Sequence, residues 1–205
     1  MNARTLTGWR WWQVSESGYL SGFHTPYARA EWPSGADVTA VCNQDADSHG
    51  PQDAPWPDCE CGVRLMPELA DLLAGIRNEP ERTGITPHVW RVIGGADYYE
   101  ARRRDGVLYV PDVIGEVVAS GRLEDACPWD DPPGTMRAEH ARIGTRLYVS
   151  QHLWRYAPVL RANYPHARIR VGRRTGLAWL DEIRKTEATT TKKRSKSKPK
   201  ERTQS

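Results

Sequence analysis

At 205 residues, 39% of them hydrophobic, the chain can bury one ordinary core and is short for two. All six lysines (Lys185, Lys192, Lys193, Lys196, Lys198 and Lys200) fall in the last 21 residues, where eight basic residues face two acidic ones; that segment carries +6, which leaves −3 for residues 1–184 of a chain that totals +3. A lysine-free body excludes a Walker A loop, a Schiff-base lysine and nucleases that set a lysine beside paired carboxylates.

The opening residues MNARTLTGWRWW hold no apolar stretch of useful length, and no run approaches a membrane span. The expectation is a cytoplasmic protein with no membrane partner. In a reducing compartment, clustered cysteines read as metal ligands before disulfides.

In chain order, residues 8–32 read as two short strands around Ser15-Glu16-Ser17-Gly18, an opening hairpin. Trp32-Pro33-Ser34-Gly35 makes a second turn. Ala36 to Val41 then alternates apolar and polar residues, a strand that delivers Cys42.

The Cys-rich stretch 42–61 is what the chain is organised around. Thiolates at Cys42, Cys59 and Cys61 with the imidazole of His49 make up the four soft or borderline ligands that structural zinc takes. Pro51, Pro55 and Pro57 prevent the intervening loop from forming a helix or a central strand, so something else must hold it. Asp47, Asp53 and Asp58 are weaker ligand candidates. The competing reading is three cysteines acting as small buried hydrophobes.

After Cys61-Gly62 the period changes to helical: Leu69, Leu72, Leu73 and Ile76 share a face, Pro67 suits the first turn, and Glu79-Pro80 ends the helix. Residues 79–88 form a linker. Three strand-like runs follow, His88 to Ile93, Gly106 to Leu123 with a break at Pro111 and a bend at Gly115, and Thr135 to Val149, where Met136, Ala138 and His140 alternate with Arg137 and Glu139. The loop from Asp125 to Gly134 reads as surface. It carries Cys127, a reactive thiol or a packed loop residue. Glu124, Asp125, Asp130, Asp131 and Glu139 either gather around a divalent ion or form a solvated loop.

Ser150 caps a helix through Trp154, Ala157 and Leu160, kinked or shortened by Pro158. A strand from Ala167 to Val171 and a helix from Leu177 to about Glu187 complete a single domain over residues 1–187. Residues 188–205 have no large apolar side chain and read as a disordered Lys-rich tail.

Arg161, His166, Arg168, Arg170, Arg173 and Arg174 form a dense basic segment in the body. Arg168 and Arg170 alternate with Ile169 and Val171, which puts both arginines on one face of a strand. They form either a solvated, charge-protected edge strand or a phosphate-contacting stripe that leads into Lys192, Lys193, Arg194, Lys196, Lys198 and Lys200, themselves either phosphate-neutralising or a solubility or processing tail.

Certain motifs resemble those of a family of uncharacterised actinobacterial and actinophage proteins. They are Trp32-Pro33-Ser34-Gly35, Cys42, the run Ala54-Pro55-Trp56-Pro57-Asp58-Cys59-Glu60-Cys61-Gly62, Val113-Ile114-Gly115-Glu116-Val117 and Arg137-Ala138-Glu139-His140-Ala141. The resemblance covers roughly residues 9–171 and implies a fold unit without an assigned activity. Family members carry a histidine two residues before the Ala-Pro pair; this chain has Gln52 there, and His49 is the nearest substitute.

The expected architecture is α+β: a small curved, mostly antiparallel sheet flanked by helices, a zinc-stabilised Cys-rich loop and a disordered basic C-terminus. The expected function is an accessory protein that binds DNA or RNA largely through phosphate. The alternatives are a protein-interaction module that engages a host protein through a Trp-rich surface, and a metal-dependent hydrolase or nuclease.

Overall fold

The computed structural model describes residues 5–15, 17–21, 31–42, 49–57, 59, 61–82, 112–125 and 133–196. Buried residues at successive positions of the long strands give a sheet whose two faces are both covered. β1 (Leu6–Val14) turns back into β2 (Leu20–Ser21) and pairs antiparallel on its other side with β5 (Val113–Asp125). β5 in turn pairs antiparallel with β6 (Met136–Val149), from Val113 opposite Val149 to Asp125 opposite Met136. The far side of β6 takes three short strands in succession: β4 (Val63–Leu65) and β3 (Val38–Thr39) antiparallel, and β7 (Arg168–Val171) parallel. The sheet is mixed, seven-stranded and open.

Its curvature has local causes. The β5–β6 ladder slips between Gly115 and Val117, where the bend was expected, and again between Ser120 and Leu123. At the second slip Gly121 takes φ 80°, and a Cβ there would lie 2.7 Å from the Glu139 carboxylate. Such bulges tighten the twist of a sheet. The curl brings the end of β4 to the outer side of β1, where Trp9 and Met66 exchange both backbone hydrogen bonds, at 2.6 and 2.8 Å.

Successive side chains feed opposite cores. One face gathers Trp12, Trp32, Val113, Val117, Ile143 and Leu147 together with Cys42 and Cys59. The other gathers Trp9, Ile114 and Tyr148 beneath α1 (Leu69–Arg82) and α3 (Gly176–Lys196). Between β6 and β7 the chain makes a 3₁₀ helix (Gln151–Tyr156) and then α2 (Ala157–Asn163), broken at Leu153 with Pro158 in the first turn of α2.

Several expectations need correction. A strand, β4, stands between Gly62 and the helix where the sequence shows only the change to a helical period, because three residues are too few to show a period of their own. α1 continues through Pro80 to Arg82, since a proline in a last turn forfeits a single backbone hydrogen bond. Ser150 stands at the N-cap position, but its hydroxyl meets His152 Nδ1 at 2.9 Å instead of capping the backbone. α3 does not stop near Glu187; it runs into the segment expected as disordered tail, to Lys196. Its first turns are fixed by buried Trp179, Leu180 and Ile183, after which each added residue gains a hydrogen bond without a new nucleation cost. The run His88 to Ile93, Asp47, Asp58, Cys127, Asp130, Asp131, Lys198 and Lys200 lie outside the described residues. Among the described residues, no helix is long and apolar enough to cross a membrane.

Candidate metal centre

Three segments converge on one point. Cys42 follows β3, His49 precedes a 3₁₀ turn (Pro51–Asp53), and Cys59 and Cys61 lead into β4. The turn is tied at its start, with the Asp53 carboxylate accepting from the Gly50 N–H at 2.9 Å. That use of Asp53 is structural. The His49 ring stacks on Trp56, centroids 5.4 Å apart and planes 16° from parallel, and its Nδ1 lies 2.9 Å from the Gly50 carbonyl. Nε2 is thereby left to face the thiols.

The ligand atoms of Cys42, His49, Cys59 and Cys61 all lie within 4.8 Å of one another. Cys42 Sγ and Cys59 Sγ are 3.6 Å apart, and Cys61 Sγ is 3.8 Å from His49 Nε2. Thiolates bound at about 2.3 Å to a tetrahedral zinc stand about 3.8 Å from each other, a spacing that the Cys42–Cys59 pair approaches. The three cysteines are free thiols, with Cys42 and Cys59 buried and Cys61 half-buried. The residues present can hold a metal ion, and His49 stands where the fourth ligand is needed.

The ligand groups shift in different directions, and Cys59 is the thiol nearest to ionisation. Burial alone would raise the Cys59 thiol, but hydrogen bonds from His49, the Cys61 backbone and Cys42 outweigh it and bring it to about 7. Burial pushes Cys61 up to about 12, against the Trp56 N–H that donates to its sulfur at 3.3 Å and with the neighbouring sulfurs adding to the rise. The contact with Cys59 holds His49 above its ordinary value, helped by the Gly50 carbonyl. A metal would replace these shared protons.

Two arginines from the β5–β6 hairpin hold the loop in place. Arg137, 1% exposed, donates from Nη1 to the carbonyls of Trp56 (3.1 Å), Cys61 (3.2 Å) and Cys59, from Nη2 to Pro57 (3.4 Å), and from Nε to Asp125 (2.9 Å). Arg122 Nη1 donates to the Asp53 and Pro55 carbonyls, at 2.5 and 3.3 Å. Gly62 packs against this clamp at φ 120°, and a Cβ there would sit 2.9 Å from Pro55 and 3.0 Å from the Arg137 side chain. Sequence reasoning missed both arginines. The available signal was an arginine flanked by core positions inside a long strand.

The remaining candidates are dispersed. Glu124, Asp125 and Glu139 form no metal-binding group among the described residues, and Glu139 accepts from the Arg122 N–H at 2.9 Å. Arg168 is exposed and Arg170 half-buried on β7, with Arg146 and Tyr148 beside them across the parallel ladder, while Ile169 and Val171 pack against the core as the alternation predicts. Arg173 and Arg174 are exposed where the chain leaves β7. Lys192, Lys193, Arg194 and Lys196 occupy the last turns of α3. No family model, curated protein or solved structure matches the chain.

Proposed function

We propose that this chain is a zinc-stapled binding protein rather than an enzyme, and that its partner is nucleic acid held mainly through phosphate. The observation that carries the zinc assignment is the set of four protein ligand atoms within 4.8 Å. Three thiolates and one imidazole fill a tetrahedral shell, and a full shell leaves no position for a substrate. The kinship drawn from the motifs belongs to the same proposal: the double-cysteine run and the Arg-Ala-Glu strand are parts of one unit, because Arg137 of the second holds the carbonyls of the first.

The distribution of charge favours a polyanion. Arg168, Arg170, Arg173 and Arg174 lie on β7 and its exit, and the chain then enters the helix that carries Lys185, Lys192, Lys193, Arg194 and Lys196. Such groups neutralise phosphates and read no bases. A Trp-rich interaction surface has less support, because Trp9, Trp12, Trp32 and Trp179 are buried.

Purified protein should contain about one zinc per chain, and chelation should lower its melting temperature. Binding to duplex DNA across a salt series should then compare the full chain, residues 1–190, and an Arg168→Ser, Arg173→Ser, Arg174→Ser variant. Each lost phosphate contact lowers the salt slope by about 0.9. If the full chain binds neither duplex nor single-stranded nucleic acid near physiological salt, nucleic acid is the wrong partner.

A further inference from the structure

β6 and β7 are parallel neighbours, Val149 lies opposite Val171, and the Gly172 N–H donates to the Val149 carbonyl at 2.8 Å. Both strands therefore leave the sheet at the same end. Out of β6 comes the 3₁₀ helix that carries Trp154 and Arg155; out of β7 come Arg173 and Arg174. Trp154 is 58% exposed, whereas Trp9, Trp12, Trp32 and Trp179 are all 7% or less. The Arg155 guanidinium lies 5.4 Å from the Trp154 ring centroid, and Arg155, Arg173 and Arg174 are all exposed. The neighbouring acid is Glu182, whose carboxylate accepts from the Arg173 backbone N–H at 3.0 and 3.2 Å, and buried Asp112, which meets His152 Nε2 at 3.1 Å.

The Trp154 indole leaves apolar area in water beside the Arg155 guanidinium. A partner that combines negative charge with flat apolar rings satisfies both halves of the surface. Within a duplex the bases already stack on one another, so the ring can engage only an unpaired base.

Resting on the nucleic-acid reading, we propose that this end of the sheet is a platform for single-stranded nucleic acid. The Trp154 indole stacks on one unpaired base, and Arg155, Arg173 and Arg174 hold the adjacent phosphates. The platform supplies a preference for single strands over duplex, which phosphate contacts alone do not.

The experiment measures affinity of the full chain for an oligothymidylate of about 12 nucleotides and for a duplex of equal length. It compares wild type with Trp154→Ala and Trp154→Phe, after zinc content and melting temperature establish that each is folded. Trp154→Ala should weaken single-strand binding about tenfold, in the range of one lost base stack, and change duplex binding less than twofold. Trp154→Phe should recover most of the loss. If Trp154→Ala binds the single strand as wild type does while wild type binds both forms, the platform is wrong and the phosphate reading stands. If wild type binds neither form, both are wrong.

Discussion

Arg137 sits in a strand whose alternation ranks it with the polar positions, yet its side chain is 1% exposed. Its donors end on loop carbonyls, which in a proline-rich segment cannot find ladder partners of their own. Arg137→Met should therefore leave several buried acceptors unpaired, cost about 3 kcal/mol of stability and weaken metal affinity about 10–100-fold. Arg137→Lys should recover little, because an ammonium cannot span the same fork of carbonyls. Chelator competition together with thermal melts checks both; unchanged affinity in Arg137→Met would mean that the loop supports itself. The ligands were legible because thiols and imidazoles are chemically rare and their spacing is local. Arg137 was not, since its role depends on carbonyls far away in the sequence that fold against it.

Between elements, a second polar cluster joins β1, β5, β6 and α3. Glu116 accepts from Arg146 at 2.7 Å and from the backbone and hydroxyl of Thr145 at 2.9 and 2.7 Å, while Arg146 Nη1 and the Tyr148 hydroxyl both reach Glu187. Arg146 also lies over the Trp9 ring, 4.7 Å from its centroid. Burial opposes ionisation of Glu116, but the bonds from Arg146 and Thr145 outweigh it and hold the carboxyl below its usual range. A carboxyl lowered on folding stabilises the native state above its unfolded value of about 4.3, and that contribution is lost as pH falls through the lower native value. Glu116→Gln should accordingly flatten the acid limb of the melting-temperature profile, and an unchanged limb would place the lost stability elsewhere. The same cluster sets how far α3 can be trimmed. Ending the chain at 184 removes Glu187 and should lower the melting temperature; ending it at 190 keeps Glu187 and should not. The apolar face of α3 was legible in its period, but its end was not, because the segment after Ala188 has no apolar residue to mark a helix. There the Thr189 and Thr190 hydroxyls donate to the Lys185 and Thr186 carbonyls, at 2.9 and 3.0 Å.

At the scale of the whole molecule, β6 is the common partner of β3, β4, β5 and β7. Periodicity revealed β5 and β6 as long strands, but pairing across the sequence leaves no local trace, so the single edge shared by β4, β3 and β7 was not foreseeable. β3 contributes two paired residues and β4 three, fewer than an edge strand needs to hold itself in place. Cys42 lies just beyond β3 and Cys61 just before β4. A bound metal would therefore fasten both strands to the sheet through their ends, and its removal should loosen them selectively. Hydrogen exchange with and without chelator tests this directly. The Ala40 amide, which donates to the Glu139 carbonyl at 2.7 Å, and the Met66 amide, which donates to Trp9, should lose protection on chelation, while amides of the central β5–β6 ladder keep theirs. Uniform loss across the sheet would instead make the metal a condition for folding the whole domain, and no change at all would remove the metal from the account of its stability.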